Sequence, residues 1–270
     1  MQKTILITGS TDGIGLETAK ALVSQGHKVL IHGRNPAKLE ATEKILAELG
    51  KAKNIESYVA DLSNLVEVDT LAKAIAEKHT KLDVLINNAG IFKTSSPITK
   101  NGMDVRFIVN TIAPYALTQK LLPLMDANGR VINLSSAAQY SVDMDALAGK
   151  KKLSDDFSAY AQSKLALTMW SRNLAQLHKE KGPVIVAVNP GSLLATKMVK
   201  EGFNTFGNDI SIGSDILVRA ALSDEFSSAT GLYYDNDSKQ FSSPHPDAMD
   251  PQKIHELVRT IDDILGEKVV

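Results

Sequence analysis

The chain has 270 residues, 30 lysines and arginines against 31 aspartates and glutamates, and a formal net charge of -1. That length fits one large α/β domain or two small ones, and the charge balance supplies no basic field to draw nucleic acid. Cysteine is absent, which excludes disulfides, a thiolate nucleophile and cysteine metal sites and fits a reducing compartment. The histidines have no metal-ligand spacing, so no metal site is expected. No apolar run approaches the length of a bilayer span, and the one at residues 4–8 is too short for a signal peptide. A cytoplasmic location is expected.

Residues 4–8 are a β-branched run that predicts a buried strand. Thr8-Gly9-Ser10-Thr11-Asp12-Gly13-Ile14-Gly15 follows, then a helical pattern through Leu16, Ala19, Leu22 and Val23. Strand, glycine-rich turn and helix in that order predict a dinucleotide cradle. Glycines let the backbone approach a pyrophosphate, whose charge rests on the helix N-terminus. The candidate contacts are Gly9, Ser10, Thr11, Gly13, Ile14 and Gly15. A second strand is expected over 27–32. Where an acidic residue would hold a ribose 2′-hydroxyl, the chain has Gly33-Arg34-Asn35. A guanidinium suits a 2′-phosphate, so Arg34, with Asn35 beside it, favours NADP(H) over NAD(H). The alternative is an exposed loop arginine. Asp12 stands where a basic residue would have helped, so the preference rests on Arg34.

Residues 36–49 are amphipathic, with Pro36 suited to a first helical turn. A third strand over 54–59 ends at Asp61-Leu62. A carboxylate there lies on the ligand side of a parallel sheet and can accept from an adenine amino group; it can equally cap the helix that starts near Asn64. Residues 66–79 have helical spacing. The fourth strand, 83–86, runs into Asn87-Asn88-Ala89-Gly90, where Asn88, Ala89 and Gly90 would let a cofactor ring pass close by. Residues 102–125 form a long helical region that Pro114 must bend. Asn110 within it is either solvent-facing or a local backbone partner, or part of a proton path opened by a widened turn. The fifth strand, 129–134, ends at Ser135-Ser136. A hydroxyl on that edge can hydrogen-bond a substrate oxygen, or simply serve a turn.

Ser158-Ala159-Tyr160-Ala161-Gln162-Ser163-Lys164 opens a long apolar-periodic helix. Tyr160 and Lys164, four apart, share one helix face, and a nearby ammonium lowers a phenol's pKa. Between the serine pair and this helix, residues 141–157 are rich in charge and read as a solvated loop. A sixth strand over 183–189 leads to Pro190-Gly191. Residues 193–212, with Met198, Val199, Gly202, Phe203, Phe206 and Gly207, read either as a lid over a partly apolar substrate or as a plain surface loop. A helix near 214–222, an edge strand over 231–234, a loop at 242–246 and an amphipathic helix over 251–265 complete the chain. No repeat or linker divides it.

Together these residues resemble the short-chain dehydrogenase/reductase family. The matching elements are Thr8-Gly9-x-x-x-Gly13-Ile14-Gly15, Asp61-Leu62, Asn87-Asn88-Ala89-Gly90, Asn110, Ser136, Tyr160-x-x-x-Lys164 and Pro190-Gly191, in the family's order. The resemblance implies an α/β, doubly wound Rossmann fold, with a seven-stranded, mostly parallel sheet in the order 3-2-1-4-5-6-7 and helices on both faces. One domain would span 1–270, with the dinucleotide-binding part about 1–135 and the catalytic and substrate-binding part about 136–270. It implies hydride transfer between a nicotinamide and a small-molecule alcohol or carbonyl. Tyr160 would be the acid/base. Lys164 would lower its pKa and hold the nicotinamide ribose, Ser136 would polarise the substrate oxygen, and Asn110 would hold a water linking Lys164 to solvent. Pro190, Gly191 and Thr196 would border the nicotinamide, although Thr196 comes one residue later than is usual. The long gap between Ser136 and Tyr160 and the Gly33-Arg34-Asn35-Pro36 run are similar to the branch of retinol dehydrogenases and WW-domain oxidoreductases. A homodimer or homotetramer paired through the long apolar helices is a further expectation. Two rivals stand beside this reading. An extended-branch epimerase or dehydratase would carry a different glycine spacing and a longer C-terminal part. A non-catalytic NADP(H)-binding sensor or scaffold would not need Ser136, Tyr160 and Lys164 together.

Overall fold

A computed structural model describes residues 1–203 and 207–268. Eight strands form one sheet in the order β3-β2-β1-β4-β5-β6-β7-β8. They are β1 (Thr4–Ile7), β2 (Lys28–Gly33), β3 (Ile55–Val59), β4 (Val84–Asn87), β5 (Arg130–Leu134), β6 (Val184–Asn189), β7 (Tyr233–Asp235) and β8 (Gln240–Ser242). All neighbours are parallel except β7 and β8. The central strands read Thr-Ile-Leu-Ile, Val-Leu-Ile-Asn and Val-Ile-Val-Ala-Val-Asn. Such near-continuous apolar runs suit strands covered by helices on both faces.

The helices are α1 (Gly13–Ser24), α2 (Pro36–Leu49), α3 (Leu65–Lys78), α4 (Val105–Phe107), α5 (Ala113–Leu121), α6 (Met144–Leu147), α7 (Asp156–Leu177), α8 (Lys197–Phe203), α9 (Ser211–Leu222) and α10 (Pro251–Lys268). One apolar layer gathers Ile5, Ile7, Leu22, Val29, Ile86, Val186 and Leu217 under α1, α2 and α9. The other gathers Leu6, Leu85, Phe107, Leu117, Val131, Trp170, Leu257 and Ile261 under α3, α5, α7 and α10. Chain order reverses between β1 and β4, and a crevice opens beyond the carboxyl ends of strands at such a switch point.

Three features differ from the sequence expectation. The sheet has eight strands rather than seven, because Gln240–Ser242 folds back on β7 as an antiparallel edge. The charged stretch 141–157 is more than a solvated loop: Asp143 caps α6, whose Ala146 and Leu147 are buried. The lid segment contains α8; Phe206 and the side chain of Phe203 lie outside the described residues. The outward face of α7 is packed against α10, with Leu257 and Ile261 buried and the Tyr115 hydroxyl donating to Asp262 Oδ1 at 2.9 Å. Each such buried aliphatic side chain contributes about 1.5–3 kcal/mol, which anchors α10 on α7.

Candidate active site

The glycine turn is shaped by close approach. Gly9 has φ +65° and a Cβ there would sit 2.8 Å from Ala89 Cα, while a Cβ at Gly15 would sit 2.4 Å from the Gly9 carbonyl oxygen. Asn88 closes the arrangement, its Nδ2 donating to the Thr8 and Gly9 carbonyls at 2.9 Å each. Thr8 Oγ1 accepts from the Asn88 and Ala89 amides at 3.1 Å each. The first and fourth strand ends are thus one hydrogen-bonded unit. Asp12 caps α1 through Gly13 N at 2.8 Å and lies 3.9 Å from Lys38 Nζ. Gly13, at φ +59°, faces Thr196: a Cβ would lie 3.7 Å from its methyl. Ile14 packs beside Gly213 of α9.

The other sequence-named cofactor residues divide by side-chain use. Ser10 is buried and its hydroxyl accepts from His32 N at 2.9 Å, so it faces the protein interior. Thr11 fits only because Gly33 lacks a side chain, since a Cβ there would sit 2.7 Å from the Thr11 methyl. Arg34 is exposed and makes no ion pair among the described residues. Asn35 caps α2 through Lys38 N at 3.1 Å. Asp61 Oδ1 accepts from Ser63 N and Oγ at 2.9 and 2.8 Å, while the helix cap is Asn64 itself. Leu62 is buried. The Pro190 carbonyl accepts from Asn236 Nδ2 at 2.9 Å, and Gly191 has φ +119°. Thr196 Oγ1 accepts from Val199 N at 3.2 Å, a capping contact for α8.

At the other end of the crevice, Asp155 caps α7 through Ser158 N at 2.7 Å and sets the turn that presents Tyr160 and Lys164. Lys164 is 4% exposed, and its Nζ donates to the Leu134 carbonyl at 2.7 Å. Burial lowers its pKa to about 8. Tyr160 lies beside it, with Nζ 5.7 Å from the ring centroid. Burial raises the phenol's pKa, and a hydrogen bond with the Ser136 side chain pulls it the other way. The expected lowering by Lys164 is absent: the amine lies over the ring, and desolvation dominates.

The twin serines separate cleanly. Ser135 is buried, its Oγ 2.7 Å from Thr168 Oγ1, whereas the half-buried Ser136 reaches Tyr160. The Ser136 carbonyl accepts from Gln139 Nε2 at 2.9 Å and from the Tyr233 hydroxyl at 3.1 Å. Sequence reading missed both donors, as well as His32 and Lys38, none of which carries a local signal; Thr8 was quoted with the glycine motif but given no role of its own.

Asn110 is fully buried in a π-helical turn, Ile108–Ile112, in which Ala113 N bonds Ile108 O. The expected widening is therefore present. Pro114 has no N–H to give the Asn110 carbonyl four residues back, and the wider turn absorbs this. The Asn110 amide is a backbone partner: Oδ1 accepts from Ile91 N at 2.8 Å, and Nδ2 donates to Ile91 O at 2.9 Å and Ser163 Oγ at 3.0 Å. A Cβ at Gly90 would lie 3.4 Å from Lys164 Nζ and 3.5 Å from Asn110 Oδ1. The bare glycine thus leaves a slot beside the amine. Phe92 sets its ring edge-on to Tyr160 at 5.2 Å and to Phe157 at 6.4 Å, and Tyr140 meets Phe157 at 5.6 Å. With the glycine turn, the slot beside Lys164 and the exposed Arg34, the crevice has a backbone cradle, an amine and a free guanidinium. That donor set fits a nicotinamide dinucleotide. Among the described residues no carboxylate–histidine cluster suited to a metal occurs, and no helix is long and apolar enough to cross a membrane.

The profile of the family described as short chain dehydrogenase matches residues 3–205. Human retinol dehydrogenase 13 is 32% identical over 193 residues, which is 70% of this chain and 58% of that protein. Human WW domain-containing oxidoreductase is 30% identical over 263 residues, 90% of this chain and 63% of that protein. The chain therefore spans about three-fifths of the length of these two relatives. A Burkholderia cenocepacia short chain dehydrogenase in complex with NADP superimposes with a TM-score of 0.70 at 25% identity, covering 87% of this chain and 96% of that one. The chain belongs to the short-chain dehydrogenase family, in the branch of the retinol dehydrogenases.

Proposed function

We propose that this chain is an NADP(H)-dependent oxidoreductase that moves a hydride between nicotinamide and the alcohol/carbonyl pair of a small, partly apolar substrate. The bound nicotinamide supplies or accepts the hydride. In reduction, Tyr160 gives its phenolic proton to the oxygen that hydride addition leaves negative; in oxidation it takes that proton back. A raised phenol pKa keeps Tyr160 protonated, the form reduction requires. Ser136 donates to the same substrate oxygen and holds it beside the phenol. Lys164 holds the ribose and reloads Tyr160 with a proton. Asn110 fixes the Ile91 backbone beside that slot, and a water next to its turn completes the path to solvent.

One observation carries this reading: the Ser136 side chain stands beside the Tyr160 phenol, and one helical turn on lies the buried Lys164 amine, hydrogen-bonded to the Leu134 carbonyl. Arg34, exposed and without an ion pair among the described residues, supports recognition of a 2′-phosphate, with Lys38 close by to offset Asp12. The Phe92, Phe157 and Tyr140 rings around Tyr160 support an apolar substrate, as does likeness to a protein named for retinol.

The test is Tyr160→Phe. NADPH binding by fluorescence titration stays within about twofold, while turnover of any accepted carbonyl falls by about 10²–10⁴; unchanged turnover sinks the proton-transfer role. A panel of aldehydes, ketones, steroids, retinoids and quinones at fixed NADPH finds the substrate. A chain that binds NADPH yet reduces none of them favours the sensor reading.

A further inference from the structure

His32 stands one residue before the end of β2, 3% exposed, and both ring nitrogens are engaged. Gly9 N donates to its Nδ1 at 3.1 Å, and its Nε2 lies 3.1 Å from the Ala60 carbonyl oxygen. A carbonyl only accepts and an amide N–H only donates. The ring must therefore be neutral, with its proton on Nε2. Burial favours that form and holds the pKa down at about 4, against the Ala60 hydrogen bond and the Asp61 charge, which both act to raise it. The backbone of His32 grips the same turn: its N–H donates to Ser10 Oγ at 2.9 Å and its carbonyl accepts from Ser10 N at 3.0 Å.

The two atoms joined by the ring matter for the cradle. The Gly9 peptide begins the glycine turn and already abuts Ala89 on its other side. The Ala60 carbonyl directly precedes Asp61-Leu62. One imidazole therefore ties the loop after β1 to the loop after β3, the two loops that flank the adenosine half of a dinucleotide laid across this sheet edge. The pairing is specific in direction. A leucine of similar size would fill the space but leave a buried amide and a buried carbonyl unpaired, and such groups are costly to strand.

We propose that His32 is a positioning residue for the cofactor: its neutral ring fixes the spacing between the Gly9 amide and the Ala60 carbonyl, and dinucleotide affinity depends on both hydrogen bonds. The inference rests on the dinucleotide-binding reading of this crevice and adds a residue outside its contact surface.

The test compares His32→Ala, His32→Asn and His32→Gln with the unaltered chain. The readouts are the NADPH and adenosine 2′,5′-bisphosphate dissociation constants by calorimetry, kcat at saturating NADPH, and Tm. The Asn variant keeps an acceptor near the Nδ1 position, and the Gln variant keeps a donor near Nε2. His32→Ala weakens both ligands by about tenfold, the loss of two hydrogen bonds, with kcat within twofold; Asn and Gln each recover part of the affinity. Affinities within twofold of the unaltered chain in all soluble variants, with only Tm lowered, overturn the proposal. If the Ala variant does not fold, Asn and Gln decide: both binding as tightly as the unaltered chain overturns it, and both binding severalfold weaker upholds it. If the unaltered chain itself binds neither NADPH nor NADH, the dinucleotide reading fails first and this inference with it.

Discussion

Around Arg34 the charges stand in water; around Lys164 they are buried. Arg34 and Asn35 are exposed, and the nearby Lys38–Asp12 pair is 3.9 Å apart with both side chains more than half exposed. Exposed charges of this kind are screened and individually weak. At the opposite end Lys164 has one hydrogen-bond acceptor, Leu134 O, and burial shifts both its pKa and that of Tyr160. The first end can choose between ligands that differ by one phosphate without disturbing the fold. The second sets protonation states, which requires excluding water. Substitutions should therefore change partner choice at one end and reaction rate at the other.

The largest break in that contrast comes from Lys164. Its ammonium loses a proton as pH rises through about 8, so a reduction that draws protons through it slows above that pH. Lys164→Met lowers kcat at pH 7 by about 10³, within the range for positioned proton donors, and the limb near pH 8 disappears from the remaining rate. A pH–rate profile on a carbonyl substrate checks both; a limb that persists in the Met variant belongs to another group.

The serine pair sharpens the contrast at a scale of about 10². Ser136→Ala removes the hydroxyl beside Tyr160 and costs about 10² in kcat, with Tm nearly unchanged because the residue is half-buried. Ser135→Ala removes one of the two hydrogen bonds of the Thr168 hydroxyl, which keeps the Lys164 carbonyl as its acceptor, and costs about 1 kcal/mol of stability, with kcat kept. Thermal unfolding and steady-state rates on both variants check this crossed pattern, and an exchange of the two effects would reverse the assignment.

At the exposed end, Arg34→Asp replaces a cation with an anion and shifts the ratio of kcat/KM for NADPH over NADH toward NADH by about 10–100-fold, the worth of one charge-assisted hydrogen bond. Tm stays where it was. No shift in the ratio would make Arg34 a surface residue only.

What the sequence made legible divides along physical lines. Tyr160 and Lys164 were found because helical spacing is local, and the glycine turn because strand, turn and helix adjoin in the chain. The central strands were readable because parallel strands buried on both faces are continuous apolar runs. β8 was not: it has three residues, two of them exposed, and exists as a strand only through pairing with β7. The preference for Ser136 over Ser135 came from resemblance alone, since which hydroxyl meets Tyr160 depends on how the strand end turns. His32 was invisible because its ring partners, Gly9 and Ala60, are 23 and 28 residues away. The direction of the Tyr160 shift was misjudged because burial, which has no sequence signature here, outweighs the neighbouring amine.

The smallest predicted effect lies between the two ends of the crevice. The Tyr233 hydroxyl reaches from β7 to the Ser136 carbonyl, which Gln139 also holds. Neither donor touches the Ser136 hydroxyl, so their influence runs through the orientation of the peptide that carries it. With two donors on one carbonyl, loss of one leaves the oxygen paired, and the cost is a fraction of a net hydrogen bond. Tyr233→Phe therefore lowers kcat about two- to fivefold and leaves the NADPH dissociation constant alone. Gln139→Leu behaves similarly, and the double variant loses more than the product of the two, because only then is the carbonyl stranded. A strictly multiplicative double variant would mean that each donor acts on something other than Ser136.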